Sequence, residues 1–401
     1  MPTIFGQHEP ATLRQLHAVA SHAARTALMA DGHPGLTFPI GAVAAYRGEV
    51  SVLGVGFDVG CGTLAARTNL HESVFGEGAQ RTKAINKLAS AIAVEFSFGT
   101  AGRNWSDDAP TDHPVFDDPA WLAVPAWHRD LLRNKARRQL GTIGSGNHYV
   151  DVLADEQGRL WVAVHFGSRA LGYETTLNVL ALAQGMRWGD RGGLRDVRLD
   201  LQSPLGDTYW TLMTLAGRYA TAGREWVAHK VAAILRGDVV ETVHNHHNFA
   251  WKEVHDDEEL VVVRKGASPA FPGQRSFIGG SMGDDAVIVQ GAVQPPTDAD
   301  ADLRRAALFS TVHGAGRVVS RRRALGRAPR SPLRSRSGGA ITYQMMHAWV
   351  AERCVALRGG DVDEAPQAYR RLPHVLAAQR GTIEVLHTLR PLIVAMAEPD
   401  K

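Results

Sequence analysis

Trp161-Val162-Ala163-Val164-His165-Phe166-Gly167-Ser168-Arg169 carries an apolar run into an imidazole and then breaks. Counted from Leu160 to His165, the run is rich in valine and aromatic residues and reads as a strand, which Gly167 closes. Such a strand delivers His165 at its end, beside Ser168 and Arg169. Working outward, Leu260–Val263 and Ala286–Val289 read as further strands. Pro10–Ala30, Thr82–Ala93, Trp210–Leu235 and Tyr343–Leu357 carry helical spacing, and Trp105–Pro125, rich in Asp and Pro, reads as a surface excursion.

Four other short segments share the chemistry of the His165 segment. Gly56-Phe57-Asp58-Val59-Gly60-Cys61-Gly62 follows an apolar run, Val52–Phe57, that reads as a buried strand. Asp58 and Cys61 stand three apart among glycines, so a carboxylate and a thiolate reach one cation from a single turn. Gly141-Thr142-Ile143-Gly144-Ser145-Gly146-Asn147-His148-Tyr149-Val150-Asp151 is a flexible loop that runs into an alternating strand, with His148 at its mouth. His244-Asn245-His246-His247-Asn248 sets three imidazoles in four residues. Thr311-Val312-His313-Gly314-Ala315-Gly316-Arg317 holds His313 between small residues with a guanidinium four positions on. Its glycines allow positive φ and close approach of a bulky ligand. An imidazole beside a fixed cation is suited to attack a phosphorus centre.

Taken singly, each segment has an ordinary reading as a satisfied strand-end histidine, a loop or a small core cysteine. Together they supply the carboxylate, thiolate and imidazole set of a divalent transition-metal site. Cys61 favours zinc by softness, whereas Asp58 and a phosphate substrate favour manganese or magnesium.

Composition excludes several classes. The chain has 401 residues, 44% hydrophobic and 21% charged, the balance of a soluble globular protein with a large core. With only Cys61 and Cys354, a disulfide scaffold is excluded and a reducing compartment is expected. Cys354 falls in the Tyr343–Leu357 run and reads as core. No apolar stretch reaches the ~20 residues of a membrane span, and Met1–Gln7 lacks the basic and apolar regions of a signal peptide. A cytoplasmic protein without a membrane partner is expected. The net charge of +3 does not by itself announce nucleic-acid binding. Its distribution says more, because Arg317, Arg321, Arg322, Arg323, Arg327, Arg330, Arg334 and Arg336 run on from the His313 segment. The run reads either as a solvated face or as the place where an RNA backbone or a triphosphate is held. Pro329 and Pro332, with serines around them, predict a flexible basic loop at 326–338.

The ordered set of motifs resembles the RtcB family of RNA-splicing ligases. The resemblance runs from Asp31-Gly32-His33 and Pro39-Ile40-Gly41, through Asp-Val-Gly-Cys-Gly, Gly-Asn-His, His-Phe-Gly-Ser-Arg and His-His-Asn. It continues through Arg264-Lys265-Gly266-Ala267, Gly280-Ser281-Met282-Gly283 and His313-Gly-Ala-Gly-Arg317 to Asp363-Glu364-Ala365-Pro366-Gln367-Ala368-Tyr369, nearly the whole chain. It implies an enzyme that uses GTP and manganese to join RNA ends bearing a 3′-phosphate or 2′,3′-cyclic phosphate to 5′-hydroxyl ends. It implies an α+β fold, a single mixed α/β domain with packed β-sheets carrying the metal site and helices outside. Asp58, Cys61, His148, His165 and His247 match the ligands of two manganese ions, with Cys61 placed to contact both. His313 matches the nucleophile that takes GMP. Asn147 matches a nucleotide-phosphate contact, Ser281 and Tyr369 look like guanosine contacts, and Gly314, Ala315, Gly316 and Arg317 complete the nucleotide-binding segment.

The sequence departs from the family pattern at several positions. Met396 and Ala397 stand where a terminal lysine-glycine pair is usual, Asp151 where a glutamate is usual, Phe166 in place of a small residue and Gly279 in place of a proline. Because the candidate ligands come from distant segments and must converge, one intertwined domain over residues 1–401 is expected. Two other activities use parts of the same residue set. A metal-dependent phosphoesterase would activate water with the Asp, Cys and His groups and form no covalent nucleotide adduct, and a non-catalytic RNA-end-binding paralogue would dispense with the metal ligands.

Overall fold

Arg159–Phe166 is a strand in the larger of the two main sheets, which two short two-stranded ladders accompany. Side chains alternate along a strand. Leu160, Val162, Val164 and Phe166 therefore pack on one side with Ile85, Ala89 and Ile92 of the helix Gly78–Glu95 and with Val227 and Val231 of the helix Pro204–Leu235. Trp161 and Ala163, and by the same alternation His165, face the other side. The computed structural model describes residues 1–294, 296–326, 338–379 and 381–399.

The larger sheet runs Arg275–Ile278, Ala286–Gly291, Ile383–Met396, Tyr149–Ala154, Arg159–Phe166, Gly62–His71, Val239–His246, with Ala356–Arg358 added in parallel to Ile383–Met396. The smaller sheet runs Thr3–Ile4, Arg25–His33, Ile40–Tyr46, Glu258–Lys265, Asn248–His255. The two sheets share a core in which Ala27, Met29, Val43, Ala45 and Val262 of the smaller meet Ile278, Val287 and Val289 of the larger. Helices lie outside, making a mixed α/β architecture. The largest apolar cluster sits under Pro204–Leu235, whose Leu212, Leu215 and Tyr219 are fully buried or nearly so. Ser203 caps that helix by accepting from the Gly206 amide at 3.0 Å. Among the described residues, no helix is long and apolar enough to cross a membrane.

Leu160–His165, Leu260–Val263 and Ala286–Val289 lie within observed strands, and Thr82–Ala93 and Trp210–Leu235 within observed helices. Four readings need correction. Val52–Val55 is a helical turn, not a strand, because Ser51 accepts from the Gly54 amide at 2.9 Å and Asp196 accepts from Ser51 and Leu53. The helix from Pro10 stops at Ala20, and Arg25–His33 is a strand. With seven consecutive buried residues, it shows the continuous apolar pattern that periodicity does not separate from a buried helix. The helix from Tyr343 stops at Glu352, Cys354 takes a left-handed φ of 54° and is exposed rather than core, and Ala356–Arg358 joins the larger sheet. Trp105–Pro125 is not a mere surface excursion, since Val115, Phe116, Trp121 and Val124 are buried in the main core and Trp121 Nε1 donates to the Val115 carbonyl at 2.9 Å. The basic loop at 326–338 lies, but for its terminal glycines, outside the described residues, and with it Arg327, Arg330, Arg334 and Arg336.

Candidate functional site

Strand alternation sorts the histidine-rich segment. Asn245 pairs with Thr63 and Thr63 with His165, so all three share the face between the sheets, while His244 and His246 face the helix Pro204–Leu235. There Arg224, fully buried, donates to His244 Nε2 at 2.7 Å, to His246 Nδ1 at 3.0 Å, to the Gly60 carbonyl at 2.9 Å and to the Phe166 carbonyl. His247 comes just after the strand end, turns inward and donates its amide to the Cys61 carbonyl at 2.8 Å.

Asp58 and Cys61 are joined by a turn in which the Cys61 amide donates to the Asp58 carbonyl at 3.0 Å, with Gly60 at φ 68°. Cys61 Sγ lies 3.4 Å from His165 Nε2 and 3.5 Å from His148 Nε2. His148 Nε2 lies 3.0 Å from Asp58 Oδ2, and His165 Nε2 lies 3.2 Å from His247 Nε2. Two donor sets result, Asp58 with Cys61 and His148, and Cys61 with His165 and His247, each with its ligand atoms within 4.8 Å of one another. Cys61 belongs to both. Ligands bound to one cation at ~2.1–2.3 Å stand about 3.4–3.7 Å apart in a tetrahedral arrangement, close to the spacings seen here.

The chemistry of these groups fits a cation. The Nε2 atoms of His165 and His247 meet each other and the Cys61 sulfur rather than an oxygen acceptor, an arrangement that a shared cation would satisfy. His165 Nδ1 donates to the Asn147 carbonyl at 2.9 Å, which turns the Nε2 lone pair inward. Burial, reinforced by neighbouring imidazoles, pushes His165 and His247 well below the usual histidine range and keeps them in the neutral, ligating form. Burial tends to raise Asp58, but His148 outweighs it and holds this carboxyl down at about 2. Burial, with Asp58 adding to it, pushes the Cys61 thiol up, so a thiolate at this point requires a positive charge in contact with it.

Glycines fit these walls closely. A Cβ on Gly167 would stand 2.1 Å from Asp58 Oδ1, and one on Gly144, at φ 100°, would meet Arg169 and His148. Arg169 ties the His148 loop to its surroundings by donating to Thr142 Oγ1 at 3.0 Å and to the Gly99 carbonyl at 2.7 Å.

His313 faces this cluster, its ring centroid 4.8 Å from that of His247. Asp31, fully buried on the strand Arg25–His33, places Oδ2 2.6 Å from His313 Nδ1 and accepts from the His313 amide at 3.1 Å. The cavity between them has a volume of about 600 Å³. Asp58, Cys61, Asn147, His165, His247, Ser281, His313, Gly314, Ala315, Gly316, Arg317 and Tyr369 line it, and His148 stands behind Asp58 and Cys61. The metal-ligand, nucleophile and nucleotide-contact candidates are thus gathered in one place. Asp151 and Met396 line the same cavity.

Several groups here carry partners that the sequence does not announce. Arg317 donates to Glu364 at 2.9 Å and to the Tyr369 hydroxyl at 2.7 Å, and its guanidinium lies 4.7 Å over the Tyr369 ring. Arg321 pairs with Asp363 at 2.8 Å and with Glu364. Ser281 donates to Asp284 at 2.5 Å. Asp31, Arg224 and Glu364 are functional neighbours that residue-by-residue reading did not assign. A carboxylate inside the apolar run Leu28-Met29-Ala30 was the available signal for Asp31, while Arg224 gives none.

The match to a family model described as tRNA-splicing ligase RtcB spans residues 12–397. The chain belongs to this family. It is 30% identical to the RNA-splicing ligase RtcB of Escherichia coli K12, over 92% of this chain and 88% of that protein. It is 29% identical to the tRNA-splicing ligase RtcB of Thermococcus kodakarensis, over 92% and 86%. The RNA-splicing ligase RtcB of Mycobacterium tuberculosis is likewise 29% identical, over 91% and 95%.

Proposed function

We propose that this chain, acting as one domain, is an RNA ligase that joins 3′-phosphate or 2′,3′-cyclic phosphate ends to 5′-hydroxyl ends, using GTP and two manganese ions through a GMP-histidine intermediate. The observation that carries this reading is the placement of His313, backed by Asp31, across one cavity from two donor sets that share Cys61. Asp58, Cys61, His148, His165 and His247 would hold the ions, which when bound neutralise charge on phosphate oxygens. Asp31 against Nδ1 keeps the proton there and leaves the His313 Nε2 lone pair free. That nitrogen attacks the α-phosphorus of GTP, the P–N bond forms, and the bond to pyrophosphate breaks. Asn147, Ser281 and Tyr369 are placed along the cavity to contact the nucleotide, and the glycines of Gly314-Ala315-Gly316 let it come close to the main chain. GMP then passes to the RNA 3′-phosphate, and attack by the 5′-hydroxyl releases it.

The test is incubation with manganese and GTP labelled at the α-phosphate, alongside RNAs of defined ends. Acid-labile label on the protein, absent from His313→Ala, with ligation of 3′-phosphate but not 3′-hydroxyl RNA, is expected. Phosphate release from RNA ends without an adduct would instead make the protein a phosphoesterase, and RNA binding with neither activity would make it an end-binding protein.

A further inference from the structure

Asp31 touches two imidazoles, not one. Its carboxylate lies against His313, and its main-chain carbonyl accepts from His33 Nδ1 at 3.0 Å. His33 is the last residue of the strand Arg25–His33 and lines the same cavity. With Nδ1 donating, the lone pair of His33 lies on Nε2, for which the described residues provide no hydrogen-bond partner. The segment that carries it is pinned. Arg370 donates to the Asp31 and Gly32 carbonyls at 3.2 and 3.1 Å, and His8 Nδ1 donates to the Gly32 carbonyl at 3.0 Å. A rigidly held imidazole with a free lone pair, lining the cavity near the nucleophile, has no part in nucleotide attachment as derived above.

Resting on the ligase reading, we propose that His33 is the general base of the sealing step, taking the proton of the incoming 5′-hydroxyl. In that step the 5′-oxygen bonds to the phosphorus of the activated 3′ end, the bond from that phosphorus to the GMP oxygen breaks, GMP leaves with the electron pair, and the proton passes to His33 Nε2. The charged neighbours of the ring are Asp31, His313 and Arg317. Burial lowers this histidine to about 4, so its lone pair is available at neutral pH, and anionic phosphates brought in by the substrate raise its basicity toward the useful range.

The test uses full-length wild type and His33→Gln, His33→Ala and His313→Ala variants with two separate readouts. One is labelling from GTP in manganese. The other is single-turnover sealing of an RNA whose 3′-phosphate already carries GMP to a 5′-hydroxyl RNA. In the His33 variants, sealing is expected to fall about 100-fold or more beyond any loss in labelling. Added imidazole is expected to restore part of the His33→Ala sealing rate, and the ascending limb of the wild-type pH–rate profile is expected to be lost. Equal losses in both readouts without imidazole rescue would overturn the assignment and leave His33 a support for Asp31, and sealing at the wild-type rate would overturn it outright. A wild type that neither takes label nor seals would refute the ligase reading, and the base assignment would go with it.

Discussion

The two walls of the cavity are built on opposite electrostatic plans. On the wall formed by the ends of the larger sheet, Asp58, Cys61, His148, His165 and His247 crowd donor atoms against one another, and the buried guanidinium of Arg224 bonds to carbonyls and to His244 and His246 behind them. On the facing wall the described charged groups are paired within the chain, with Asp31 against the His313 ring, Arg317 on Glu364 and Arg321 on Asp363 and Glu364. Buried polar groups without partners cost stability, whereas paired ones hold their geometry at little net cost. The first wall therefore has the make-up of a site that a ligand completes. The second is assembled before any ligand arrives.

Removing Cys61 strikes the first wall hardest. Cys61→Ala should abolish manganese binding and the labelled adduct, a loss beyond the roughly 10- to 100-fold that follows removal of an outer-shell partner. In metal-free protein its melting temperature should match or exceed wild type, because a desolvated thiol is removed and only its long contacts to His148 and His165 go with it. Full labelling of this variant, or a large loss of metal-free stability, would erase the distinction between the walls.

A subtler break comes from Gly167→Ala. Its methyl would need the space held by Asp58 Oδ1, at 2.1 Å, so the carboxylate must swing away while the sheet stays intact. Manganese affinity measured by calorimetry should fall about 10- to 100-fold, with the nucleophile wall unaltered. Wild-type affinity would mean that Asp58 is not a ligand.

How much of this could be read from the chain follows the same division. The donor wall was legible because thiol, carboxylate and imidazole among glycines are rare company, and Leu160–His165 is plainly a strand. The split of His244-Asn245-His246-His247 was not, because it depends on which strand pairs with Gly62–His71 and on a helical arginine far along the chain. The facing wall was less legible still. Arg317 reads as a cation for phosphate, yet its carboxylate partner lies 47 residues later. Local pattern also failed where tertiary bonds decide, as at Val52–Val55, where Asp196 supplies the acceptors that turn an apolar run into a helical turn.

Glu364→Gln tests the facing wall. It leaves Arg317, only 13% exposed, without its carboxylate. Breaking a buried pair costs about 3–5 kcal/mol, and with an unfolding entropy of about 2 cal/mol/K per residue the melting temperature should drop by about 4–6 °C. This drop should appear without metal or nucleotide. A variant that melts like wild type would show that the network is not self-supporting.

The smallest effect expected is at Asp151, a buried acid in the cavity that neither wall answers. Its Oδ1 is sealed from solvent without a partner, and burial pushes its carboxyl well above the usual range. The folded protein therefore holds a proton that the unfolded chain releases above pH ~4, so this group makes stability fall as pH rises from there toward its folded value. His33 acts in the opposite sense. Lowered to about 4 by burial, it stays neutral where the unfolded chain takes up a proton, so stability falls as pH drops from ~6.5 to about 4. Asp151→Asn should remove only the first of these limbs. In thermal unfolding of metal-free protein, the variant should be slightly more stable than wild type at pH 7, by on the order of 1–2 °C in melting temperature, and indistinguishable below pH ~4. Its acid limb should be unchanged, while His33→Gln should make it shallower and leave the part carried by His165 and His247. A less stable Asp151→Asn at pH 7 would mean that the carboxylate is ionised and held by a positive group, and Asp151 would then belong to the self-paired wall.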